Sequence, residues 1–257
     1  LTQTLAGVRI AKGGDFMKTL LSCLLVLIFS VSALAMGEPA PEKEEAKQVT
    51  VSRVTGGLML VDDFEDGNYR SKPEWWKFDL QKVEVVSTTD LSEGDLDIIA
   101  VVQTKALLLS GDASNWYCGG IGTYIAAEGV DLSKFNALQV DVYGEGEGSG
   151  TLKIELVDDD NSNWQAEQDP KKNYVLIYDD KLTADITVDW TGWQRITLPF
   201  SDFRDANPDV GDDVWNPEQN GEEGSGGLLQ IQIIALGPEE AGACKIYIDN
   251  ISLITEE

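Results

Sequence analysis

Apolar and polar positions alternate with a period of two through most of the chain beyond residue 57. In "NALQVDVYG", Leu138, Val140 and Val142 fall on one side, and Gln139, Asp141 and Tyr143 on the other. "TLKIELVD" sets Leu152, Ile154 and Leu156 against Lys153, Glu155 and Val157. "WQRITLPF" sets Ile196, Leu198 and Phe200 against Arg195 and Thr197. "LQIQIIAL" sets Ile231 and Ile233 against Gln230 and Gln232, and "CKIYIDNISLI" carries Ile246 and Ile248. Successive side chains of a strand point to opposite faces, so each run predicts a half-buried strand. "LMLV", Leu58 to Val61, predicts a further, buried one. No stretch carries a convincing helical period. Many such strands joined by polar loops predict an all-β fold, an antiparallel two-sheet β-sandwich with jelly-roll connectivity. "EGEGSG", Glu145 to Gly150, predicts a tight hairpin loop, and Asp205 to Gly227 a long loop.

The chain is 42% hydrophobic, enough for a sizeable core. Its net charge of -26 argues against nucleic acid, which needs Lys and Arg to neutralise phosphate, and against an anionic membrane surface. The N-terminal region carries an address. Met17-Lys18, an apolar run from Leu20 to Val31, and Ala33-Leu34-Ala35 follow in the order of a cleavable signal peptide. The expected organisation is a leader over 1–16 upstream of a start at Met17, a signal peptide over 17–35, a disordered acidic linker over 36–56, and the sandwich over 57–257. The expected location is periplasmic or extracellular, with no membrane insertion after signal cleavage. Cys118 and Cys244 lie beyond the signal. Export permits a disulfide between them, and two buried free thiols are the other reading.

"LVDDFEDG" places Asp62, Asp63, Glu65 and Asp66 directly after the first predicted strand, and Asp249 sits in the final one. In a jelly roll the first and last strands often lie side by side. Carboxylates from both ends can then share one hard cation, since Ca²⁺ takes 6 to 8 oxygen ligands. A solvated acidic turn is the other reading, for no EF-hand pattern is present.

Four segments in order, "LMLVDDFEDG", "VDLSKFNALQVDVYG", "GWQRITLPFSDF" and "KIYIDNISLI", resemble family 11 carbohydrate-binding modules and related galactose-binding-like jelly rolls. That superfamily includes the complex I intermediate-associated protein 30 domain. The resemblance spans about Leu58 to Ile254. It implies a β-sandwich with structural Ca²⁺ near the chain ends, held by Glu65 and Asp249 with Asp63 as a further ligand. It also implies a polysaccharide or oligosaccharide partner. Two departures weaken a glucan site. Ala235 stands where the family carries a ligand-stacking tyrosine, and Arg204-Asp205 lacks the tyrosine that follows in the family.

A sugar site needs aromatic faces to stack on the ring and polar groups to bind its hydroxyls. The expected ligand face is the polar row around Asp141, Glu155, Arg195 and Gln232, flanked by Trp116, Tyr117 and Trp215. Trp75, Trp76, Trp190 and Trp193 are expected to pack over the core edge. The absence of histidine excludes imidazole catalysis and His metal sites. The expected function is a non-catalytic, secreted carbohydrate-binding module. The alternative is a cell-envelope structural or assembly protein built on the same sandwich, without sugar binding.

Overall fold

The computed structural model describes residues 54–256, apart from 56, 92, 95–103, 126–131, 173 and 216–226. The expected leader, signal peptide and most of the linker lie outside the described residues. So does the second half of the expected Asp205–Gly227 loop.

The first sheet is built from β1 (Val54–Thr55), β2 (Leu58–Asp62), β4 (Lys82–Ser87), β5 (Lys105–Asp112), β7 (Ala137–Glu145), β12 (Thr191–Pro199) and β15 (Ala243–Ile254). β15 is its spine. One edge of β15 pairs with β7, which in turn pairs with β12. The other edge pairs with β5 through Ala243–Ile248 and with β2 through Ile251–Ile254. The predicted neighbourhood of the first and final strands is therefore present. The sheet reaches back to Val54, which pairs with Met59, inside the stretch expected to be linker.

The second sheet contains β3 (Trp76–Phe78), β6 (Tyr117–Tyr124), β8 (Gly150–Asp158), β11 (Lys181–Val188), β13 (Arg204–Asp205) and β14 (Leu228–Leu236), in the order β13-β11-β8-β14-β6-β3. Every ladder in both sheets is antiparallel. A short pair, β9 (Gln168–Asp169) with β10 (Val175–Leu176), stands apart. The core lies between the sheets. Leu107, Val140 and Ile248 of the first pack with Ile154, Ile231 and Ile233 of the second, all essentially buried. All but Leu107 are positions that alternation assigned inward. No helix among the described residues is long and apolar enough to cross a membrane.

The expected hairpin at Glu145–Gly150 is corrected. β7 and β8 belong to different sheets, so this turn carries the chain across the sandwich. Gly146, Gly148 and Gly150 all take positive φ, at 109°, 100° and 115°, which a side chain disfavours. Period-two patterning marks both strands but does not say whether they pair with each other.

Candidate functional site

The two polar rows of the sandwich lie on opposite sides of the molecule. Asp141 and Arg195 face outward from the first sheet, on β7 and β12. Glu155 and Gln232 face outward from the second, on β8 and β14. The single ligand face expected from sequence is thus divided. Alternation tells which residues leave the core; the sheet a strand joins is a long-range property.

Arg195 is committed within its own face. Its Nε and Nη2 each donate at 2.7 Å to the two carboxylate oxygens of Asp141, which is wholly buried. Trp215 is also corrected. It packs edge-on against Phe200, ring centroids 5.0 Å apart, at the margin of the core. Trp116 is half-exposed in the turn before β6, with φ at 72°. Tyr117 opens β6 and donates its hydroxyl to Asp79 at 2.9 Å. Burial and that bond raise its pKa, with the charge of Glu155 adding to the shift.

The outer face of the second sheet carries a row that crosses all six strands. Register places Arg204 opposite Thr183, Thr183 opposite Glu155, Glu155 opposite Gln232, Gln232 opposite Gly122, and Gly122 opposite Trp76. At about 4.8 Å per strand spacing the row spans about 24 Å. Thr183 and Glu155 are sunk in its middle at 3% and 8% exposure, while Arg204 is exposed and Trp76 half-buried. The row is therefore a groove. Its flanks continue the pattern: Phe78 lies opposite Gly120, and Tyr124 opposite Gln230.

The aromatic end follows from two glycines. A Cβ on Gly122 would come within 2.5 Å of the Trp76 ring, and one on Gly120 within 2.5 Å of the Phe78 ring. The rings thus rest on bare backbone, and Trp76 also packs against Tyr124 at 5.4 Å. Trp75, its sequence neighbour, is fully buried and donates Nε1 to Asp62. The expectation that both tryptophans pack on the core is corrected for Trp76. The signal was legible: in "WKF", a period of two puts Trp76 and Phe78 on one face.

The polar end is a charge network. Lys181 lies 3.6 Å from Glu155, while Asp185 takes Arg204 at 2.8 Å and Lys153 at 3.9 Å. Gln232 Nε2 donates to Gln230 Oε1 at 3.1 Å. Thr183 Oγ1 is buried with no hydrogen-bond partner. Ala235, the expected site of a missing stacking residue, is fully buried against the core and paired with Gly119, so its side chain cannot reach this face.

The expected metal ligands at the chain ends approach one another only in part. Asp249 is buried, and burial pushes its pKa up to about 8, with the charges of Asp141, Asp63 and Glu65 adding to the shift. An all-oxygen donor set suits Ca²⁺. Burial alone would raise the Glu65 pKa, but Thr104 and Lys105 hold it below its usual range through three bonds of 2.7 Å to the carboxylate. Lys105 Nζ donates to the Glu65 carbonyl. Among the described residues, Asp63, Glu65 and Asp249 do not bring three oxygens within 4.8 Å of one another. Cys118 and Cys244 are buried free thiols in contact across the two sheets; burial, then the bond to Cys118, pushes the Cys244 thiol up to about 12.

No protein-family model matches the chain, and no curated protein matches it. Among solved structures it is similar to a family 11 carbohydrate-binding module from Clostridium thermocellum in complex with a β-1,3-1,4-mixed-linked tetrasaccharide. That match has 18% identity, covers 78% of this chain and 97% of the module, and has a TM-score of 0.44. It is similar also to a family 27 module from Caldicellulosiruptor saccharolyticus in complex with mannohexaose, at 17% identity, 79% and 100% coverage, and a TM-score of 0.42. An exo-β-agarase matches at 15% identity over 77% of this chain and 25% of its own, with a TM-score of 0.46. The chain is thus similar, in its β-sandwich fold and at low identity, to carbohydrate-binding modules of several families.

Proposed function

We propose that the chain is an exported, non-catalytic module that binds a polysaccharide or oligosaccharide along the groove of the second sheet. The observation that carries this reading is the row Arg204–Thr183–Glu155–Gln232–Gly122–Trp76. It joins an aromatic platform to a carboxylate, an amide and a guanidinium on one continuous face. Aromatic faces stack on the apolar faces of sugar rings, and the polar groups match ring hydroxyls. Glu155 is balanced by Lys181, which favours hydrogen bonding over acid-base work.

Calorimetric titration of the full chain against mixed-linked β-glucan, mannan, xylan and agarose tests the proposal. Binding to at least one, lost in Trp76→Ala with the fold intact, is the expected result. No heat with any of the four overturns the sugar reading and favours an envelope assembly protein.

The chain-end acids Asp63, Glu65 and Asp249 are proposed to hold a structural Ca²⁺, supported by the burial of Asp249, which raises its pKa, with the charges of Asp141, Asp63 and Glu65 adding to the shift. Asp249→Asn should then shrink the rise in melting temperature that Ca²⁺ gives over EDTA. An unchanged response removes Asp249 from the ligand set.

A further inference from the structure

The second sheet ends in a group of carboxylates that the groove does not use. Asp158 closes β8, Asp160 follows it, and Asp180 stands immediately before β11. One oxygen from each lies within 4.8 Å of the other two. With Ca–O bonds of about 2.4 Å, two ligands on opposite sides of one ion lie about 4.8 Å apart, so the three oxygens fit around a single centre. Their exposures are 0%, 8% and 2%.

Two of these carboxylates each have one oxygen engaged and one left over. Asp160 Oδ2 accepts from Asp180 N at 2.8 Å, and Asp180 Oδ2 accepts from Val214 N at 2.9 Å. Asp160 Oδ1 and Asp180 Oδ1 are buried and accept no hydrogen bond. Neither residue forms an ion pair with a Lys or Arg among the described residues. Buried carboxylates in this state are strongly unfavourable unless a counter-charge is supplied.

The surrounding loop is shaped around that space. Gly211 has φ at 84°, and a Cβ there would lie 2.1 Å from Asp180 Oδ1 and 2.3 Å from Asp160 Oδ2. Bare backbone therefore covers the carboxylates. Asn207 fastens the loop to the same strand end, accepting from Lys181 N at 2.6 Å and donating to the Asp179 carbonyl at 2.8 Å.

We infer that Asp158, Asp160 and Asp180 form a Ca²⁺ site, closed by the Gly211 loop and separate from the acids at the chain ends. The oxygen-only donor set selects a hard cation. Three carboxylates from a strand end and a loop suit the adaptable shell of Ca²⁺ better than the strict octahedron of Mg²⁺, which keeps several waters. The site stands whether or not the groove binds sugar.

The test is calorimetric Ca²⁺ titration and thermal melting of the full chain after EDTA treatment, for wild type, Asp160→Asn, Asp180→Asn and Asp249→Asn. Asp249→Asn, which keeps this ion alone, should gain about 5–10 °C at free Ca²⁺ a hundredfold above Kd, and wild type at least as much. Asp160→Asn and Asp180→Asn should each lower the stoichiometry by one, whereas Asp249→Asn leaves this ion in place. Asp180→Asn should melt above wild type in EDTA, where the carboxylates repel, and below it in Ca²⁺. Wild-type stoichiometry in both Asp160→Asn and Asp180→Asn, or the same melting order in EDTA and Ca²⁺, would overturn the proposal. Mg²⁺ at equal concentration should give less than half of the shift; an equal or larger shift overturns the choice of ion.

Discussion

Asp141 and Arg195 stand directly opposite each other on β7 and β12 and are joined at two points, each 2.7 Å long. Asn250 Nδ2 adds a third bond to Asp141 at 3.0 Å. The guanidinium thus serves a carboxylate with no exposure of its own. Arg195→Ala should destabilise the fold by about 2–3 kcal/mol. That is below the roughly 3–5 kcal/mol of a fully buried pair, because Arg195 is partly solvated. Sugar affinity should be unchanged, since the residue lies on the opposite side from the groove. Urea unfolding and ligand titration of one sample measure both; a variant of wild-type stability that loses sugar would reverse the assignment.

Gly122→Ala should damage the groove without unfolding the domain. The new methyl group falls 2.5 Å from the Trp76 ring, which must lift off the sheet. We expect at least a tenfold loss of affinity, about 1.4 kcal/mol, and a shift in tryptophan emission. Wild-type affinity would mean that the ring position is irrelevant to binding.

Acidity should stabilise the calcium-free protein. Burial raises the pKa of Asp62 and Asp160 to about 7, of Asp179 and Asp249 to about 8, and of Asp180 to about 6. As pH rises from about 4 the unfolded chain releases these protons first, so stability falls progressively until about pH 8. Glu65, held below its usual range, acts in the opposite sense only at more acid pH. Melting temperatures in EDTA should therefore decline between pH 5 and 8, and saturating Ca²⁺ should flatten the decline. A rising profile in EDTA would refute the assignment of these groups as carboxyls that burial keeps protonated.

The thiols of Cys118 and Cys244 should be silent in the reduced native protein. Both are buried, and the Cys244 thiol, pushed up to about 12, supplies almost no thiolate at neutral pH. Labelling by a disulfide reagent should track global unfolding in urea. Their contact leads us to propose that exported material carries them as a disulfide, visible as a mass 2 Da below the reduced chain. Rapid native labelling would contradict the packing, and reduced exported protein would contradict the pairing.

Much of the framework was legible in the chain. Period two located β7, β8, β12, β14 and β15 to within two residues, with the right inward positions, because alternation is set by local geometry. The pairing of β2 with β15 was also anticipated. Sheet membership was not legible. Asp141 and Glu155 look alike in sequence, since both are acids between apolar neighbours, yet the Glu145–Gly150 turn moves the chain to the other sheet between them. Trp76 was passed over because its fully buried neighbour, Trp75, is the commoner role for the residue. Asp160 and Asp180 are 20 positions apart, and nothing local relates them before β8 and β11 pair.

The place of β15 at the centre of the first sheet bears on how the chain comes to be folded at all. It touches β7 on one edge and both β2 and β5 on the other. During synthesis, those three strands emerge well before their shared partner. Until residues 243–254 leave the ribosome, three edges with open hydrogen-bonding groups must be kept from pairing with the wrong partner. The pairs β4–β5 and β7–β12 can form earlier, but the first sheet stays in pieces until β15 joins them, so it closes late in synthesis.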